Sequence, residues 1–294
     1  MVDEVADALA GFAASLRPSE REVAAAAASA RELVAPLVAG GLALTALDAG
    51  SFAHGTAVAG ASLFDAIVVL RGSRPRSPAK ALEAMLAGLD PAAASTAEVQ
   101  GDSLVVPGDA GAGAAGIRLL PAYEHAAGGG PDAPGATAAG VWVVDAARHW
   151  VLCRPAARGV LLSRIDDDGS VRELVRLLLA WKHRLGVPVS SYYLETVALR
   201  QALQQPSFNR LWDLCWVWEA LADAGLVAVP DPSSPSLVQP VRAAPRLAGA
   251  IEAGYPVERA ASSSRGAINA YLDGDAATTT VYLRALFGEG FPEL

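Results

Sequence analysis

Short apolar runs alternate with stretches of helical period through the first half of the chain. Residues 2–38 are alanine-rich and helix-favouring, broken once at "RPSE", where Ser19 is placed to cap "REVAAAAASARELVAPLV". "LALTAL" (42–47) and "FDAIVVL" (64–70) have strand length, and "AKALEAMLAGL" (79–89) returns to a helical pattern. "DSLVVPGDAGAGAAGIRLLPAY" reads as two strands, 103–106 and 116–120, joined by a glycine-rich turn in which Asp109 is an ordinary turn residue. Residues 126–140, "AAGGGPDAPGATAAG", are low in complexity and read as a mobile loop, and "VWVVDAARHWVLCR" after them is mixed.

From Ser170 the pattern turns helical. "SVRELVRLLLAWKHRLG" gathers Leu174, Leu177, Leu178 and Trp181 on one face, with Ser170 and Glu173 spaced as a capping box and Gly186 as a stop. "SSYYLETVALRQALQQ" and "FNRLWDLCWVWEALADAG" are further helices, and a proline-rich bend, "VPDPSSPSLVQP", precedes the last ones. The fold class expected is α/β in the α+β sense. A mixed-sheet core with its leading helices would occupy 1–165, and a helical lobe 166–294.

Composition narrows the function classes. The chain is 52% hydrophobic, much of it alanine, and 18% charged, which suits a packed, helix-rich protein. A net charge of −8 argues against broad binding to nucleic-acid backbones, while leaving room for a local basic pocket. Cys153 and Cys215 form no disulfide framework or metal spacing and read as small buried apolar residues. "MVDEVADALAGF" lacks the basic and apolar regions of a signal peptide, and "LVAPLVAGGLALTAL" is short for a membrane span and interrupted by Pro and Gly. The expectation is a cytoplasmic protein with no membrane partner.

The chemistry concentrates in "GSFAHGTAVAGASLFDAIVVL", Gly50 to Leu70. A Gly-Ser at a strand-to-helix turn exposes backbone N–H groups and one hydroxyl, which together suit a phosphate. A strand following such a loop can present two carboxylates at alternate positions to one metal pair, because a period of two puts both on one face. With Gly50, Ser51, Gly55, Thr56, Ser62 and Asp65 in register, the stretch resembles the active-site loop of polymerase-β-like nucleotidyltransferases. More narrowly, it resembles the cGAS/DncV-like (CD-NTase, SMODS-type) enzymes, relatives of oligoadenylate synthases. "IRLLPAY", "VRELVRLLLAWKHRLGVPVSSYYLE", "VPDPSSPS" and "LFGEGFP" extend the resemblance over nearly the whole chain.

The resemblance implies three metal-binding carboxylates, and two are replaced. Leu63 stands at the first, Asp65 keeps the second, and Arg118 stands at the third; Leu179 falls where a lysine is usual, with Lys182 and Arg176 within a turn of it. Leu63 cannot coordinate magnesium, which takes oxygen ligands. A guanidinium ~5 Å from a divalent ion repels it by roughly 6–7 kcal/mol at an effective dielectric near 20. Asp65 and Arg118 are therefore expected to pair across adjacent strands.

Other acids offer little rescue. The resemblance implies that Asp48 points along the incoming strand, and the acids at 166–168 read as support for a helix N-terminus. His54 reads as a variable, outward-facing loop residue, and His125, His149 and His183 have no partners at metal or triad spacing. Trp212 and Trp216, four apart, read as a buried helix face together with Trp218, in preference to a base-stacking platform.

Three functions remain. The first is a catalytically degenerate nucleotide sensor or regulatory partner, using Gly50, Ser51, Thr56, Arg118, Lys182, Ser190 and Ser191 and no cofactor. By resemblance, it would act in antiphage defence signalling. The second is a scaffold that pairs with another protein or a second copy of itself and binds no nucleotide, a reading that Leu179 favours. The third is an active nucleotidyltransferase that uses magnesium and makes a linear or cyclic oligonucleotide from NTPs.

Overall fold

The computed structural model describes residues 2–108, 114–125, 140–145, 148–205 and 208–294. The turn expected at Asp109 and the loop expected over 126–139 lie outside the described residues. Two helices, α1 (Val2–Ser15) and α2 (Glu20–Ala39), lead into β1 (Ala43–Ala49), a one-turn helix α3 (Gly50–His54) and β2 (Phe64–Leu70). Helices α4 (Pro78–Gly88) and α5 (Pro91–Thr96) follow, then β3 (Glu98–Gln100), β4 (Ser103–Val106), β5 (Ile117–Glu124), β6 (Val141–Val144) and β7 (Trp150–Cys153). The chain continues through α6 (Ala157–Ile165), α7 (Ser170–Leu185), α8 (Ser191–Gln204) and α9 (Arg210–Asp223). A small hairpin, β8 (Val229–Asp231) with β9 (Gln239–Val241), precedes α10 (Leu247–Leu272) and α11 (Ala276–Phe287).

The sheet runs β1-β2-β5-β4-β3, with β6 and β7 added beside the far half of β5. Strands β2 and β5 are parallel, and their register sets Asp65 opposite Arg118. All of β2 is buried, which explains its nearly unbroken apolar run. Alternation splits it cleanly. Phe64, Ala66, Val68 and Leu70 pack with Val34 and Leu37 of α2 and Leu82 and Met85 of α4. Ile67 and Val69 face the other way, with Ala49, Leu120 and Ala122. Asp65 and Arg118 share that second side by the same period of two.

The helical lobe has a core of its own, and α1 belongs to it. Val5, Leu9 and Phe12 pack with Leu177, Trp181, Leu214, Trp218 and Phe287. A boundary at 165/166 therefore separates α1 from the helices it packs on. Phe287 and Phe291 of "LFGEGFP" close this core against Phe12.

Two capping expectations came out differently. The Ser19–Glu22 pair forms a full capping box at α2. At α7 the expected Ser170–Glu173 box is absent; Asp166 accepts from the Val171 and Arg172 amides at 2.7 and 3.2 Å. Glu173 instead pairs with Arg210. Gly186 does end α7, in the left-handed region.

Candidate functional site

Between β1 and β2 the chain makes a tight loop whose conformation glycine permits. Gly50 has φ +64°, and a Cβ built there would lie 1.9 Å from Asp65 Oδ2. Only glycine lets the backbone turn against that carboxylate. The Ser51 carbonyl accepts from the Thr56 and Ala57 amides, and Ser62 Oγ accepts from the Val58 amide. The Ser51 hydroxyl has no hydrogen bond among the described residues. Helix α7 clamps the loop from outside. Arg172 Nε donates to the His54 carbonyl at 2.9 Å, and Arg176 Nη2 donates to the Gly55 carbonyl at 2.6 Å. Arg176 is buried and its guanidinium is spent on backbone carbonyls, so it does not stand in for the missing lysine.

Asp65 and Arg118 form a bidentate ion pair. Arg118 Nε donates to Asp65 Oδ1 and Nη2 to Oδ2, each at 2.7 Å. The Asp65 side chain is 8% exposed and the Arg118 side chain 35%, so one partner is sealed and the other is open to the cleft. Asp65 dominates the environment of Arg118 and holds its guanidinium firmly in the charged form. Leu63 packs beside Gly116, where an added Cβ would meet its Cδ2 at 2.8 Å. The residues present do not fit a pair of magnesium ions. Leu63 offers no oxygen, both Asp65 oxygens are held by Arg118, and no group of three or more His, Cys, Asp or Glu suited to a metal occurs among the described residues.

Leu179 and Lys182 have different surroundings on α7. Leu179 is fully buried in the helical core. Three residues further along α7, Lys182 is half-buried and donates from Nζ to Ser191 Oγ at 2.7 Å. Burial, aided by the Arg118 charge and opposed by Asp65, brings Lys182 down to about 8. Lys182 is therefore near enough to feel both charges of the ion pair. Ser190 caps α8, its Oγ accepting from the Tyr193 amide.

These groups stand at one end of a cavity of about 200 Å³ between the sheet and the helical lobe. Gly50, Asp65, Arg118 and Ser190 line that end. Ile67 and Leu120, two residues further along the same strand faces, continue as an apolar wall with Val151, Leu152 and Val241. Arg154 and Arg242 lie at exposed positions on the rim. Of the other candidates, Ser51, Thr56, Lys182 and Ser191 are not part of this lining. Asp102, which sequence patterning did not single out, also lines the cavity. Burial raises its carboxyl, with Arg118 opposing and Asp65 and Asp145 adding.

The architecture matches solved structures across nearly its whole length. Escherichia coli CdnC solved with ATP superposes with a TM-score of 0.73 at 17% identity, covering 97% of this chain and 98% of that one. Bradyrhizobium diazoefficiens CdnG in complex with GTP gives 0.67 at 15% identity, covering 97% and 94%. Vibrio cholerae DncV, a cyclic AMP-GMP synthase, gives 0.58 at 14% identity, covering 84% and 69%. The chain has a cGAS/DncV-like nucleotidyltransferase fold. No family model matches the sequence, and no curated protein matches it either. At these identities the likeness is one of fold. Within the CD-NTase fold, no helix among the described residues is long and apolar enough to cross a membrane.

Behind the CD-NTase loop lies a buried polar hub that the sequence did not announce. Glu195 of α8 meets His54 Nδ1 at 3.0 Å, accepts from Thr56 Oγ1, and accepts from Arg158 Nη1 at 3.2 Å. Arg158 also donates to Thr196 Oγ1 and Asp231 Oδ1, and its guanidinium stacks 3.4 Å over the Tyr192 ring. Burial works to raise Glu195, but His54, Arg158 and Thr56 outweigh it and hold the carboxyl at about 2. His54 is thus buried and paired, not outward-facing, because α8 brings a carboxylate to it. Thr56 is committed in the same way and turns from ligand candidate to loop anchor. The Trp expectation also shifts: Trp218 is the buried member, packed on Trp181, whereas Trp216 is exposed. Asp48 is exposed on β1 and does not reach the cavity.

Proposed function

We propose that this protein is a catalytically degenerate CD-NTase-like protein whose cleft binds a nucleotide, acting as a sensor or regulatory partner. The observation that carries the reading is the Asp65–Arg118 pair on the cavity wall, with Lys182 near enough to feel both charges. Phosphate-binding groups persist there, while the oxygen ligands that two metals need do not. Gly50, the free Ser51 hydroxyl, Arg118 and Lys182 would receive the phosphates, and the apolar wall from Ile67 to Val241 would receive the base. Two-metal phosphoryl transfer has no footing at Asp65, so no catalytic cofactor is assigned. Lys182, a cation on α7 close to Leu179, weighs for this reading over the scaffold. CdnC solved with ATP and CdnG solved with GTP support a nucleotide ligand, and a CdnC:HORMA-deltaN complex supports a regulatory protein partner. Nucleotide-based defence signalling is the setting such a partner would serve.

Calorimetric titration with ATP and GTP, beside chromatography of labelled NTPs incubated with the protein and magnesium or manganese, tests this. Saturable binding without any oligonucleotide product is expected. A product that disappears in Asp65→Ala, or no saturable binding of either nucleotide, overturns the reading.

A further inference from the structure

We propose that the Arg118 guanidinium serves as the fixed cation of this site, so that the cleft selects the metal-free polyphosphate and magnesium opposes binding. The inference rests on the nucleotide reading above and names the ionic form of the ligand.

Arg118 uses one edge for Asp65, through Nε and Nη2. Its Nη1 makes no hydrogen bond among the described residues, and the residue is open to the cavity it lines. A guanidinium has two edges that can each meet an oxyanion in bidentate fashion. The Nη1–Nη2 edge therefore stays available to a phosphate while Asp65 holds the other. The ion pair orients the cation and the ligand completes it.

A metal has no comparable seat. To coordinate magnesium, Asp65 would have to release Arg118, which would then face the ion at close range with Lys182 close by. Magnesium bound to a triphosphate also cancels two of the negative charges that Arg118 and Lys182 attract. Leu63 and the bound state of Asp65 leave nothing to recover that loss. The free triphosphate meets Arg118 directly and keeps its full charge toward Lys182 nearby.

Calorimetry with ATP and with inorganic tripolyphosphate, in EDTA and in excess magnesium at matched ionic strength, decides the question. The expected result is an apparent affinity about tenfold weaker in magnesium for both probes. Asp65→Asn removes a negative charge beside Arg118 and should tighten metal-free ATP binding, the opposite of its effect at a metal ligand. Arg118→Asp should reverse the order, so that magnesium favours ATP. If Arg118→Asp fails to fold, the wild-type and Asp65→Asn measurements still decide. Tighter wild-type binding with magnesium, or weaker metal-free binding in Asp65→Asn, overturns this proposal and leaves nucleotide binding intact. No binding of either probe under either condition overturns both.

Discussion

The Asp65–Arg118 pair can be weighed by a double-mutant cycle because its two ends differ in exposure. Two unit charges about 4 Å apart interact by about 4 kcal/mol at an effective dielectric of about 20. Water reaches the Arg118 side chain, 35% exposed, and screens part of that energy, whereas Asp65 is 8% exposed. A coupling of about 2 kcal/mol is expected. The single substitutions should be unequal. Arg118→Met strands a sealed carboxylate and should cost about 3 kcal/mol. Asp65→Asn leaves a guanidinium that can turn to water and keeps one acceptor oxygen, so about 1–2 kcal/mol is expected. Asp65→Asn combined with Arg118→Met should then be about 2 kcal/mol less damaging than the two single costs together. Urea unfolding followed by tryptophan fluorescence gives the four stabilities, compared where the slope m is unchanged. A coupling under about 0.5 kcal/mol, or a larger cost for Asp65→Asn than for Arg118→Met, refutes the reasoning.

Other expectations follow from the same neighbourhood. Gly50→Ala puts a methyl 1.9 Å from Asp65 Oδ2 at φ +64°. It should lower unfolding stability by about 2–4 kcal/mol, and a loss under about 0.5 kcal/mol would show that the loop relaxes. Lys182 is brought down to about 8 by burial and by Arg118, so it is charged below that pH and neutral above it. Nucleotide affinity should therefore decline as pH rises through about 8, from a midpoint that bound phosphate moves upward, and Lys182→Met should flatten the profile. Glu195 sits at about 2, below its ordinary 4.5, because His54, Arg158 and Thr56 outweigh burial. Its contribution is complete above about pH 4.5 and lost as pH falls toward 2. Glu195→Gln should cost about 3 kcal/mol at neutral pH and shrink the acid-induced loss, which a pH series of urea midpoints measures.

Much of the fold was legible because burial writes itself into the chain. Strand β2 is sealed on both faces and reads as an apolar run with one carboxylate, and β5 beside it reads as an apolar run with one arginine before its exposed last residue, Glu124. Those two exceptions lie opposite each other in the register. Strand β3 was invisible for the opposite reason: its three residues are all exposed, so no alternation marks it. Position 179 was legible only as a leucine where the resemblance places a lysine; that Lys182, three residues on, donates to Ser191 depends on how α8 packs on α7, which the linear sequence does not carry. His54 was misjudged because its partner lies 141 residues away. Yet α8 carried a usable clue. Tyr193 through Leu199 are all buried, and Glu195 falls inside that block. A carboxylate enclosed on a buried helix requires a cation or several donors, whatever their distance along the chain. Glu195 meets that need with Arg158 on one side and with His54 and Thr56 on the other, and through those two the helical lobe grips the loop in front of Asp65.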